Sequence, residues 1–181
     1  MSFSRIEINK PLPADAFTLE KPDGYAAQAI TRPASKDESL PIGSPAPEWH
    51  LFNEQGEEVS SKSLRGKVVL LDFWYSTCGP CVKSMPVIQR IHEKYKNNGV
   101  VVVGMNSKEK KAANAVNFMN KNNYTYTLAL QADSVASAFG VDSYPTTYII
   151  DAEGKIIHKE IGFGDETEEK INEIMDRILQ K

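Results

Sequence analysis

The chain's only two cysteines stand in Cys78-Gly79-Pro80-Cys81, between an apolar run and an amphipathic stretch. That junction restricts the fold more than any other feature of the sequence. Before it, Val68 to Tyr75 is an apolar run rich in β-branched and aromatic residues, broken only by Asp72, as expected of a buried strand. After it, from Val82 to about Tyr95, the residues Met85, Ile88, Ile91 and Tyr95 recur at the spacing of one helix face. A thiol at a helix N-terminus meets unpaired backbone N–H groups and the positive end of the dipole, which favour thiolate. A second thiol one turn in can close a disulfide with the first, so the pair reads as a dithiol–disulfide switch. Two other uses compete. Half a zinc site would need a second pair of ligands, and His50, His92 and His158 show no ligand spacing. An inert disulfide across so short a loop would constrain the unfolded chain little.

The remaining pattern alternates strands and helices. Trp49 to Asn53 and Glu57 to Ser60 flank a Glu54-Gln55-Gly56 turn and predict an N-terminal hairpin. Ser63 to Gly66 reads as a helical turn, and Val100 to Met105 as a second buried strand, parallel to the first through a right-handed crossover. Ser107 is expected to cap a helix running to about Asn120, with Asn122-Asn123 ending it. Thr125 to Leu130 reads as a short strand, and Asp133 as the cap of a helix through Phe139. Thr146 to Ile150 and Lys155 to His158 form a hairpin around Asp151-Ala152-Glu153-Gly154. A capping box of Asp165 and Glu168 opens the last helix, whose apolar face is Ile171, Ile174, Met175, Ile178 and Leu179. The predicted fold is α/β, a central mixed sheet flanked by helices.

The N-terminal part is patterned differently. Arg5 to Ile8 alternates like a half-buried strand, Pro11 and Pro13 break the chain, and Phe17-Thr18-Leu19 is a second strand candidate before Pro22-Asp23-Gly24. Ala29 to Pro47 is rich in Pro, Ser and charge and reads as a linker. Residues 1–40 are therefore expected to be an extension and linker, and 41–181 the main domain. A net charge of −3 argues against nucleic acid as a partner. No apolar run reaches the length of a membrane span, and Met1 to Arg5 lacks the apolar core of a signal peptide.

From about Ile42 to Lys181 the chain resembles the thioredoxin superfamily, and within it the TlpA/ResA branch. The resemblance rests on Gly43-Ser44-Pro45-Ala46-Pro47, Leu64 to Leu70, Phe73-Trp74, Cys78 to Cys81, Met85-Pro86, Tyr144-Pro145-Thr146-Thr147 and Ile150 to Gly154, in the family's order. It implies a thioredoxin-like fold in which the segment from Lys108 through Phe139 is a central insertion. It also implies a thiol–disulfide oxidoreductase without cofactor or metal, probing disulfide-containing protein substrates, recharged by an upstream electron-donor oxidoreductase, monomeric and extracytoplasmic or periplasmic. A cytoplasmic thioredoxin-like protein is the alternative location. Thr77 and Ser84 depart from the family pattern beside the motif and bear on substrate preference. The first forty residues weakly resemble the end of lipoprotein-sorting-type domains.

Residue by residue, the resemblance makes Cys78 the attacking thiol and Cys81 the resolving one. Asp72 is a costly charge inside an apolar strand, and it occupies the position of the buried acid that serves Cys81 as proton acceptor through water. Pro145 matches the cis-proline that packs beside the disulfide, with Tyr144 offering its backbone to a substrate strand. Gly79 and Pro80 lie between the cysteines at the docking surface. Trp74 is a substrate-binding candidate with an equal case for the core, and Pro86 should kink the helix. The Gly-Pro pair matches thioredoxin and favours a reductant. Two rivals share the superfamily: a thiol peroxidase, which would need Thr where Tyr75 stands, and a copper-binding protein, which would need a distal His.

Overall fold

The computed structural model describes residues 40–180, so the expectations for Arg5 to Leu19 and for most of the linker lie outside the described residues. Within them, Val68–Trp74 (β3) is buried at every position. Its neighbours follow from that burial, because a strand with two apolar faces must be covered on both. The sheet has the order β5-β4-β3-β6-β7, with β4 at Val100–Asn106, β5 at Thr127–Ala129, β6 at Thr146–Ile150 and β7 at Ile156–Ile161. β3 runs parallel to β4 and antiparallel to β6, so the sheet is mixed, as expected. A separate hairpin joins β1 (His50–Phe52) to β2 (Glu58–Ser60). Its turn is closed by the Asn53 side-chain oxygen, which accepts from the Gln55 and Glu57 N–H groups, with Gly56 at φ +80°.

The alternation of β3 sorts the core into two layers. Val68, Leu70 and Trp74 face α1 (Gly79–Tyr95), α2 (Ala112–Lys121) and α4 (Thr167–Leu179). Val69, Leu71 and Phe73 face the β1–β2 hairpin and α3 (Asp133–Ala138). Phe73 is fully buried, with ring centroids 5.5 Å from Phe139 and 6.1 Å from Tyr148. Phe73→Ala is expected to lower unfolding free energy by about 3–5 kcal/mol in urea titration, because a fixed layer cannot collapse onto the vacated volume.

Three local expectations fail, one because the strand pairing runs on and two because the side chain has a stronger tertiary partner. Ser107 caps nothing: its N–H donates to the Trp74 carbonyl, continuing the β3–β4 pairing, and α2 starts only at Ala112 without a side-chain cap. Asp133 does not cap its own helix, because its carboxylate accepts the Lys108 N–H at 2.9 Å. The Asp165–Glu168 box does not form. Glu168 instead takes Arg90 of α1 at 2.9 and 2.5 Å, while Thr167 Oγ1 accepts the Gly164 N–H. A bidentate guanidinium–carboxylate contact is stronger than a neutral cap. Elsewhere α1 begins at Gly79 rather than Val82 and continues through Pro86, β5 is shorter than expected, and β7 is longer.

Candidate active site

The site lies where β3 ends and α1 begins. Cys78 is the N-cap residue of α1, in extended backbone geometry, with Pro80 in the first turn, where a missing N–H costs nothing. Cys78 and Cys81 are joined as a disulfide, with Cα atoms 5.2 Å apart. The Cys78 N–H donates to the Tyr75 carbonyl, and its Sγ accepts the Cys81 N–H at 3.2 Å. A thiolate at Cys78 would thus meet a helix N–H, whereas among the described residues no N–H donates to the Cys81 sulfur. Cys78 retains 4% exposure and Cys81 none, while Gly79, Pro80 and Val82 around them are exposed. Brief alkylation of the reduced protein near neutral pH is expected to label Cys78 first. Equal or faster labelling of Cys81 would reverse their roles.

The Tyr144–Pro145 bond is cis, one step beyond the Phe73–Thr146 pair, which sets it beside the end of β3. Tyr144 is half-buried and packs edge-on against Tyr75, ring centroids 5.3 Å apart, with Lys108 Nζ 4.5 Å from the Tyr144 centroid. Glu109 Oε1 accepts the Ser76 N–H at 2.5 Å, tying the loop before Cys78 to the loop after β4. Tyr75, Lys108 and Glu109 were not singled out from sequence. The β3–β4 register, which pairs Trp74 with Asn106, brings Lys108 and Glu109 to the site, whereas Tyr75 lies there as the residue after β3.

Trp74 is fully buried and packs against Phe118, ring centroids 5.8 Å apart. A side chain without exposed surface forms a wall of the site rather than a contact for a docked chain. Asp72 is buried in the same layer, and neither carboxylate oxygen has a hydrogen-bond partner among the described residues. Burial alone pushes its carboxyl from 3.8 up to about 7. That value suits a group that takes up and returns a proton near neutrality. Among the described residues, no three His, Cys, Asp or Glu side chains converge as a metal site, and no helix is long and apolar enough to cross a membrane.

Comparison with known proteins matches this geometry. The Redoxin family pattern matches residues 41–175. The thiol-disulfide oxidoreductase ResA of Bacillus cereus is 32% identical over 145 residues, covering 80% of this chain and 82% of that protein. ResA of Bacillus subtilis is 34% identical over 142 residues, covering 78% of each. Among solved structures, a putative thiol:disulfide interchange protein DsbE from Chlorobium tepidum superposes with a TM-score of 0.73 at 32% identity, over 78% of this chain and 99% of that one. The cysteine pair closed across the first turn of α1, the thioredoxin-like sheet and these relatives agree: the chain belongs to the Redoxin family and is a thiol–disulfide oxidoreductase.

Proposed function

We propose that this oxidoreductase works as a reductant of protein disulfides. Reduced Cys78 attacks a substrate disulfide, forming a mixed disulfide and releasing one substrate thiolate. Cys81 then gives its proton towards Asp72 and attacks the Cys78 sulfur, and the second substrate sulfur leaves. The observation that carries this reading is the redox pair at the start of α1 together with a buried carboxylate that has no partner among the described residues. Tyr144 supports it: among the described residues, no backbone hydrogen bond occupies its N–H or C=O, leaving both for a substrate strand. An extracytoplasmic site, where a separate dithiol donor returns the enzyme to the reduced state, fits the resemblance to the TlpA/ResA branch. A thiol peroxidase is disfavoured by Tyr75, which stands where that chemistry needs a threonine.

The direction is tested by equilibrating the full chain in dithiothreitol and glutathione buffers and counting free Cys78 and Cys81. The expected potential lies nearer the roughly −270 mV of thioredoxin than the roughly −120 mV of the oxidant DsbA. A value near the latter would make the protein an oxidant.

A further inference from the structure

The layer beneath α1 holds a group of buried polar atoms that packing does not explain. Among the described residues, Asp72 Oδ1 and Oδ2, Trp74 Nε1 and the Tyr126 hydroxyl are all buried and without a hydrogen-bond partner. The register brings them together. Asp72 pairs across β3–β4 with Gly104, and a Cβ built at Gly104 would come 2.9 Å from Tyr126 Cε2 and 3.0 Å from Trp74 Nε1. Glycine at 104 is what leaves room for both donors beside the carboxylate. Tyr126 is 3% exposed, and the charge of Asp72 reaches its phenol, which burial already holds protonated and able to donate. Unpaired buried polar atoms are costly, and a site offering two donors and a carboxylate meets what an internal water requires.

We propose that Tyr126 is a positioning residue for Asp72: its O–H donates to an internal water that in turn donates to the Asp72 carboxylate, and through which Asp72 receives the Cys81 proton. This deepens the reading of Asp72 as the proton acceptor and rests on it. The proton leaves the Cys81 thiol for the water as a water proton passes to the Asp72 carboxylate. The Cys81 electron pair forms the Cys81–Cys78 bond, and the pair of the broken bond departs on the substrate sulfur. The water held by the phenol donates to the carboxylate and favours its charged form, so losing the phenol hydroxyl makes Asp72 hold its proton to higher pH.

The test follows the Asp72 carboxyl stretch in the infrared, identified by its loss in Asp72→Asn, while the oxidised full chain is titrated. In Tyr126→Phe the midpoint is expected to move up by about one pH unit, a tenfold change in proton affinity. Mixed-disulfide resolution should become half-maximal at a correspondingly higher pH, with no such movement when Asp72→Asn is already present. Gly104→Ala, which displaces both donors, should move the midpoint the same way. Other titrating groups near the phenol are Tyr124, stacked at 6.0 Å, and His92 of α1, ring centroid at 6.4 Å; Cys81 lies in the same layer. Burial lowers the pKa of His92, so His92→Gln is the control. An unmoved Asp72 midpoint in Tyr126→Phe, or a shift that disappears in the His92→Gln background, overturns the proposal. A shifted midpoint with wild-type resolution in Asp72→Asn would instead strike the catalytic reading and leave the hydrogen-bonded group standing.

Discussion

Asp72→Asn is expected to stabilise the oxidised protein at neutral pH and above while slowing mixed-disulfide resolution by roughly 10²–10⁴-fold. Both effects come from one carboxyl. Its folded value of about 7 lies above the ordinary 3.8, so the folded protein binds the proton more tightly than the unfolded chain. The stability tied to that proton is complete below 3.8 and is lost as pH rises through 7. That span corresponds to ~4 kcal/mol, an upper bound because any internal water would relieve part of the burial. Asparagine keeps the shape without the charge, so the wild type should weaken relative to it between pH 5 and pH 8 in urea titrations. The same substitution removes the acceptor for the Cys81 proton, and resolution slows. The first attack, by Cys78, does not use Asp72 and should keep its rate. A stability difference that is flat with pH would mean Asp72 stays ionised when folded, and unchanged resolution would make it a core residue.

The second large effect concerns Cys81→Ser. Cys81 is fully buried in the first turn of α1, and its sulfur is bonded to Cys78. A serine hydroxyl cannot displace a disulfide, so the variant should attack substrate once and stop, with steady-state turnover falling to background. Cys78→Ser should lose even the first attack. The contrast between one stoichiometric event and none separates the two thiols more sharply than any graded rate. Steady-state turnover well above background in both variants would mean that neither cysteine has the assigned role.

Much of this was legible in the sequence where a residue's local pattern and its tertiary partner agree. β3 and α1 were readable because a continuous apolar run and a helix-spaced face each demand burial. The cysteines were readable from their place between those elements, and Asp72 from being the one charge in a buried strand. Caps were not legible, since Ser107, Asp133 and Glu168 each found a partner outside their own helix. Tyr126 was not legible either. The pairings of Asp72 with Gly104 and of Val103 with Thr127 together carry its ring towards the carboxylate, and pairing between strands separated by a helix leaves no trace in local spacing. Lys108, which reaches the rings of Tyr75 and Tyr144, is hidden for the same reason, whereas Tyr144 was legible from its place before Pro145.

The most direct test maps the covalent complex formed when reduced Cys81→Ser meets a protein disulfide. After quenching with an alkylating agent, peptide mass analysis should find the substrate cysteine joined to Cys78, in about one equivalent, releasable by dithiothreitol. Absence of any linked species, with Cys78 recovered fully alkylated, would contradict attack by Cys78 on protein disulfides.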